Sequence, residues 1–267
     1  MSRKSRLDVH MVQRGLVASR HQAQQLIRAG RVRESTGQLL DKPGQQVSDG
    51  IELLIKEFPR FVSRGGQKLL GAIQAFPLMI QGRVCIDGGI STGGFTDCLL
   101  QHGAKRVYGI DVGYGQTAWE IRTDSRVVLR ERTNLRTLIS EDLYGPEDSL
   151  ASLAVADLSF ISLKLILPAL RMLLDPVCGE AVVLVKPQFE VGRENVGKGG
   201  VVRDPCAHIS ALKEVIYSAS VQKWHPKGLV ASPLTGPAGN HEYLLWLGTI
   251  ENFEMPNIEK LVENTLS

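Results

Sequence analysis

The spacing of apolar positions changes twice along the chain. In the first stretch Leu7, Met11 and Val12 recur at helical spacing until Gly15 breaks the run, and Ala23, Leu26 and Ile27 form the apolar face of a second helix. Ser19 with Gln22 three residues later is a capping box for that helix, and Ala29-Gly30 is its stop. Three short apolar segments follow, Arg31–Val32, Gln38–Leu40 and Ile51–Ile55, separated by the turn residues Lys42-Pro43-Gly44 and Ser48-Asp49-Gly50. They predict small strands, and with the two helices an α+β module of roughly 50 residues. Glu57-Phe58-Pro59-Arg60-Phe61 closes this module and Val62-Ser63-Arg64-Gly65-Gly66 opens the next, which places the domains at 1–60 and 61–267.

Beyond that boundary strand and helix patterns alternate. A helix over Gln67–Phe76 precedes Val84–Asp87, Phe95–His102, Arg106–Asp111, a helix near Thr117–Arg122, Val127–Leu129, Leu153–Asp157 and Leu163–Leu174. Ala181–Lys186, Ala207–Val221, Leu229–Ser232 and Tyr243–Leu247 complete the series. Such alternation predicts an α/β fold with a doubly wound, mostly parallel, Rossmann-like sheet that binds ligands at the carboxyl ends of its strands. No internal repeat or low-complexity tract interrupts it.

One stretch carries the chemistry of that sheet. Val84 to Asp97 reads V-C-I-D-G-G-I-S-T-G-G-F-T-D: an apolar strand ending in a carboxylate, four glycines in seven positions, then a helix start. Glycines crowd a loop where a ligand comes close to the backbone, since they have no Cβ and reach positive φ at little cost. The spacing is neither G-x-G-x-x-G nor G-x-x-x-x-G-K-[ST], so dinucleotides and nucleoside triphosphates are poorly served. An acid at the end of the first strand, Asp87, and another at the end of the second, Asp111, suit S-adenosylmethionine instead. Asp111 would accept the ribose hydroxyls, and the Asp87 loop, with Gly88, Gly89, Ser91, Gly93, Gly94 and Phe95, would hold the amino-acid part. Thr133-Asn134 after the third strand offers an adenine contact through Asn134.

Charge separates the two parts. Residues 1–68 hold 13 Lys or Arg against 6 Asp or Glu, so within a net charge of +3 the remainder is at −4. Arg3, Lys4, Arg6, Arg14, Arg20, Arg28 and Arg31 face only Asp8 before residue 34, which points to a polyanion partner. The stretch R-L-D-x-x-M-V-x-R-G-L-x-x-S-R-x-x-A-x-x-L-I-x-x-G-x-V resembles the S4 RNA-binding domain, whose helices present arginines to structured RNA. Where that family usually has V-N-G after the second helix, this chain has Arg33-Glu34-Ser35. Arg64, at the R-G-G entry to the second part, joins the candidate RNA contacts.

Other features set limits. The 43% hydrophobic and 22% charged content is ordinary for a globular protein. No apolar run approaches about 18 residues, and M-S-R-K-S-R-L-D has no apolar signal core, so neither a membrane span nor a secretory signal is expected. Cys85, Cys98, Cys178 and Cys206 lack C-x-x-C spacing, consistent with reduced thiols in a cytoplasmic protein.

Three further polar residues fall at strand ends. L-A-V-A ends at Asp157, A-V-V-L-V ends at Lys186, and Glu242 opens Y-L-L-W-L. A lysine closing five apolar residues needs a partner unless it snorkels to solvent, and Asp157 lies at the same sheet edge. Lys68 and Glu242, taken singly, read as ordinary surface charges. The loop Val191–Arg203, with four glycines among Arg193, Lys198 and Arg203, reads as either a surface loop or an RNA-gripping lid.

The order S4 module, R-G-G-Q-K-L, D-G-G-I-S-T-G-G-F-T-D, A-D-L-S-F-I-S, K-P-Q-F-E and H-E-Y resembles the TlyA family over nearly the whole chain. Those proteins are named hemolysins but belong with the FtsJ-like ribose 2′-O-methyltransferases. The family often has alanine or valine near Gly88 or Ile90. The resemblance implies a Lys-Asp-Lys-Glu tetrad carried over to Lys68, Asp157, Lys186 and Glu242, with Asp157 also near the methyl donor and no metal. It implies S-adenosylmethionine as cofactor and cytidines of rRNA in ribosomal subunits as substrate. The competing expectations are a membrane-lytic protein, as the hemolysin name implies, and a non-catalytic RNA-binding assembly factor.

Overall fold

In the first part of the chain, each helix begins where a side chain or a neighbouring turn takes up its orphan amides. The structure, a computed structural model, describes residues 4–56, 58–250 and 257–267, and it divides into two units between Arg60 and Phe61. Arg3 and Glu57, named above, lie outside the described residues. The first unit comprises β1 (Lys4–Arg6), α1 (Leu7–Gln13), α2 (Arg20–Arg28), β2 (Val32–Glu34), β3 (Gln46–Ser48) and β4 (Leu53–Ile55). Ser19 Oγ accepts from Gln22 N at 3.2 Å, and the Gln22 side chain returns to Ala18 N at 3.0 Å. The reciprocal bond therefore reaches one residue beyond the cap itself. Leu7, Met11, Ala23, Leu26 and Ile27 form the core with Val32, Leu40 and Val47.

Strand pairing departs from the expected small hairpin. Two antiparallel ladders form, β1 with β3 and β2 with β4, and the segment 38–40 is reduced to one bridge between Arg33 and Leu39. Three-residue strands are too short to show a period of two, so β1 and β3 leave no sequence pattern. Asp8, fully buried on α1, accepts from Arg6 Nε and Nη2 at 3.0 Å each, from Arg20 Nη2 at 3.1 Å and from Gln24 Nε2 at 2.9 Å. The Arg6 guanidinium holds its carboxyl well below the usual range.

The second unit runs through α3 (Gly65–Ala75), β5 (Val84–Gly88), α4 (Gly94–Gln101), β6 (Arg106–Ile110), α5 (Trp119–Arg122), β7 (Val127–Arg130), α6 (Ser140–Leu143) and β8 (Leu153–Ala156). It continues with α7 (Leu167–Leu173), β9 (Glu180–Val185), α8 (Pro187–Glu190), α9 (Pro205–Val221), β10 (His225–Ala231), β11 (Tyr243–Gly248) and α10 (Ile258–Leu266). The sheet order is β10-β11-β9-β8-β5-β6-β7. Neighbours from β9 to β7 pair in parallel, whereas β11 runs antiparallel to both β9 and β10. Apolar clusters cover both faces, which is why the central strands read as continuous apolar runs. This is the doubly wound, mostly parallel sheet expected from the alternation. The single helix expected at 163–174 instead begins as a 3₁₀ turn at Leu163–Leu165, and α7 starts with Pro168 in its first turn. Among the described residues no helix is long and apolar enough to cross a membrane.

Asp87 closes β5 inside this core. It is fully buried; Oδ2 accepts from Thr96 Oγ1 at 2.6 Å, and Oδ1 has no partner among the described residues. Burial pushes its carboxyl up to about 7 against the opposing Thr96 hydrogen bond, with Asp157 and Asp111 adding to the rise.

Two stability predictions follow from these acids. Asp8→Ala is expected to destabilise the first unit by about 2 kcal/mol, since hydrogen bonds to a charged group are lost while the half-exposed arginines rehydrate. Faster hydrogen exchange of the α2 amides is the readout. Because the native Asp8 pKa is depressed, its contribution is fully present above the ordinary carboxylate range and is lost as pH falls below that range through the native value. Asp87 has the opposite sign: its native pKa is raised, so the stabilisation is present below about pH 4 and is lost as pH rises through about 7. Melting curves should therefore show the wild-type Tm falling over that window relative to Asp87→Asn.

Candidate active site

The site begins with two helix starts pressed together. Gly94 opens α4, and a Cβ there would lie 2.2 Å from Ser63 Oγ and 2.9 Å from the Gly66 amide nitrogen. A Cβ on Gly66 would lie 2.3 Å from the Phe61 ring. Gly94 thus lets the start of α3 approach α4 backbone to backbone, and Gly66 leaves room for the Phe61 ring against α3. Asp97 on α4 reinforces the contact by accepting from Val62 N at 2.8 Å. Lys68, one turn into α3, is carried to the carboxyl edge of the sheet.

Glu242 reaches the same edge because β11 is antiparallel. Parallel strands end there, but β11 begins there, with Tyr243 opposite Val185 of β9. Lys68 Nζ and Glu242 Oε2 meet at 2.5 Å, with side chains only 8% and 1% exposed. Their reading as ordinary surface charges is corrected: each is buried because the other neutralises it. Lys186 follows the last residue of β9, and its Nζ lies 2.7 Å from Asp157 Oδ1, an ion pair without hydrogen-bond alignment. Its aligned bond goes to Ser159 Oγ at 2.9 Å. The snorkelling alternative is therefore set aside, since the Lys186 side chain is 9% exposed.

Two cavities share a wall at this edge. The first, about 410 Å³, lies over the ends of β5, β6, β7 and β8 and is lined by Asp111, Val112, Gln116, Thr133, Asn134 and Phe160 among others. The second, about 370 Å³, is lined by Ser63, Arg64, Gly65, Lys68, Gly94, Phe95, Lys186 and Glu242 among others. Gly89, Ser91, Asp157 and Ser159 line both. Asp111 accepts from Ser91 N through Oδ2 at 2.8 Å and from Gly113 N through Oδ1 at 2.7 Å. Gly89 sits at φ +80°, where a Cβ would meet the Asp157 carbonyl oxygen at 2.7 Å.

Three expected cofactor contacts stand elsewhere. Asp87, Gly88 and Gly93 line neither cavity: Asp87 is enclosed with Thr96, and a Cβ on Gly88 or Gly93 would strike Leu135 or Ile121. They shape the loop from behind. Conversely, Ser159, Phe160 and Gln116 were not singled out from sequence. Ser159 and Phe160 directly follow Asp157 in A-D-L-S-F-I-S, and a serine beside a strand-end carboxylate was the available signal. Phe160 is 91% exposed at φ +64°, with its ring 5.3 Å from that of Phe189 on α8. Glu190, at the end of α8, accepts from Ser162 Oγ at 2.6 Å and Leu163 N at 2.8 Å, and burial pushes its pKa up.

The basic residues divide between the units. Lys4, Arg6, Arg14, Arg20 and Arg28 are exposed in the first, where Arg31 is partly buried with its guanidinium over Phe58. Arg64 is exposed at the second cavity. In the loop 191–203, Arg193, Lys198 and Arg203 are exposed, but its later half is anchored. Asn240 accepts from Val202 N at 3.0 Å and donates to the Gly200 carbonyl at 2.8 Å.

Comparison with known proteins agrees with this architecture. The FtsJ-like methyltransferase model matches residues 61–249, and the S4 domain model matches residues 5–50. The chain is 50% identical over 251 residues to the 16S/23S rRNA (cytidine-2′-O)-methyltransferase TlyA of Mycobacterium tuberculosis, covering 93% of this chain and 91% of that protein. It is 37% identical over 244 residues to Hemolysin A of Brachyspira hyodysenteriae, covering 90% of this chain and 98% of that one. A solved structure from Streptococcus thermophilus, described as a hemolysin, is 42% identical with a TM-score of 0.72 and covers 99% of this chain and 96% of its own. The chain therefore belongs to the TlyA family, in which an S4 domain precedes an FtsJ-like methyltransferase domain.

Proposed function

We propose that the protein methylates a ribose 2′-hydroxyl of rRNA, at cytidine in one or both ribosomal subunits, in the cytoplasm, with S-adenosylmethionine as methyl donor. The observation that carries this reading is the wall shared by the two cavities. One cavity has the lining of a nucleoside site and the other holds two lysines with their carboxylates, so a donor and an acceptor can meet across Asp157, Ser159, Gly89 and Ser91. The Mycobacterium tuberculosis relative is named for an activity of this kind.

The first cavity fits the cofactor. Each Asp111 oxygen is oriented by one backbone amide and keeps a lone pair for a ribose hydroxyl. Gly89 leaves a cradle that any Cβ would fill, and Asn134, which lines the same cavity, is assigned to the base. When bound, S-adenosylmethionine supplies an electrophilic methyl group on a sulfonium.

The chain's own residues supply alignment and proton transfer. A ribose hydroxyl is a weak nucleophile near neutral pH, so a positioned base and an in-line approach are what the protein contributes. Lys186 is assigned to orient the hydroxyl and, after its ammonium has released a proton to solvent, to take the hydroxyl proton as the ribose oxygen accepts the methyl group. Asp157 holds Lys186 by charge at the shared wall, and the Lys68–Glu242 pair fixes a second ammonium in the acceptor cavity without leaving a buried charge unpaired. Arg64, at that cavity, and the exposed arginines and lysine of the S4 domain are assigned to RNA phosphates, which implies salt-dependent binding.

The test is methyl transfer from labelled S-adenosylmethionine to 30S and 50S subunits lacking the modification, with mapping of the label. The expected product is a label at a single ribose that resists alkaline cleavage and falls at least ~100-fold in Lys186→Ala. No transfer to either subunit, or label on a base, would overturn the reading. Asp111→Ala is expected to weaken S-adenosylmethionine binding by about tenfold or more in calorimetry, as befits loss of charged hydrogen bonds of about 1.5 kcal/mol.

A further inference from the structure

Lys186 is held by more than its carboxylate. Asp157 Oδ1 attracts the ammonium at 2.7 Å but obliquely, whereas Ser159 Oγ accepts an aligned hydrogen bond at 2.9 Å. The Phe189 ring lies 5.8 Å from the same nitrogen. An ion pair is weakly directional, and a lysine side chain has four rotatable bonds. A hydrogen bond to the Ser159 hydroxyl sets which way the remaining valence of the nitrogen faces.

We propose that Ser159 is a positioning residue for Lys186, aiming its nitrogen across the shared wall at the hydroxyl to be methylated. This inference rests on the methyltransferase reading above. Three features converge on it. First, Ser159 lines both the donor and the acceptor cavity, as Asp157 does. Second, a hydroxyl accepts from an ammonium and from an amine alike, so it keeps hold of Lys186 after a proton leaves, when the charge attraction of Asp157 is gone. Third, the bond belongs to a closed frame. Ser159 precedes Ser162 by three residues and Lys186 precedes Glu190 by four; Glu190 accepts from Ser162 Oγ at 2.6 Å and from Leu163 N at 2.8 Å. The two loops after β8 and β9 are thus bound to each other at both ends, through Lys186–Ser159 at the wall and Glu190–Ser162 behind it.

The experiment compares wild type, Ser159→Ala, Ser159→Thr and Lys186→Ala in full-length protein. It measures kcat and KM on ribosomal subunits together with S-adenosylmethionine affinity by calorimetry. Misplacement of a reacting group predicts a kcat lower by ~10- to 100-fold in Ser159→Ala, with KM and cofactor affinity within about threefold of wild type. Ser159→Thr, which restores the hydroxyl, is expected to recover kcat to within about fivefold. An unchanged kcat in Ser159→Ala, a loss confined to KM or to cofactor affinity, or a Thr variant as slow as the Ala variant would each overturn the assignment. If the wild type transfers no methyl group, the underlying reading falls and this inference with it. A transferring wild type matched by Ser159→Ala defeats this inference alone.

Discussion

An ammonium group buried at the edge of an apolar sheet loses most of its hydration, and a carboxylate at ion-pair distance compensates for that loss. The second unit is arranged around two such pairs. Lys68 and Glu242 are 174 residues apart in the chain yet meet at 2.5 Å with little exposure, and Lys186 meets Asp157 at 2.7 Å. Neither lysine could occupy this edge alone. Everything that brings the partners together, from the strand order to the glycine contacts, is therefore required for the site.

The geometry that satisfies this constraint comes from two local departures from a regular doubly wound sheet. One is the reversal of β11, which delivers the start of a strand to the edge where its neighbours end. The other is the contact between the beginnings of α3 and α4, where a Cβ on Gly94 would strike the Ser63 side chain and the Gly66 backbone. A side chain at Gly94 would push the start of α3 away from α4. Packing and charge pairing meet on α3: Gly94 permits its approach to α4, and Lys68 makes the ion pair.

The same edge opens into two cavities with one set of loops. The loops after β6 and β7 line the first, and the loops after β5 and β8 lie on the wall between the two. Hydrogen bonds as well as apolar contacts give these loops their shape, with Asp111 accepting the amides of Ser91 and Gly113, and Glu190 capturing Ser162 and Leu163. In the first unit Asp8 plays a comparable part, gathering Arg6, Arg20 and Gln24 around one buried carboxylate. It shows how a basic surface is ordered from beneath by a single acid.

The strand–helix alternation, the glycine loop and the polar residues at strand ends are all legible in the order of residues along the chain. Parallel strands all finish on one edge, so Asp111, Asp157 and Lys186 could be assigned to a common site from their positions after apolar runs. The capping box at Ser19 was legible because it depends on residues three apart. What required the tertiary structure depends on long-range pairing. Strand direction is not written in a strand's own residues, so Glu242 looked like a surface charge until β11 proved antiparallel. Lys68 gained its burial only from that distant partner. Asp87 shows the converse: its position after β5 suggested a ligand contact, but packing behind the loop enclosed it with Thr96, a decision made by the surrounding core and not by the local motif.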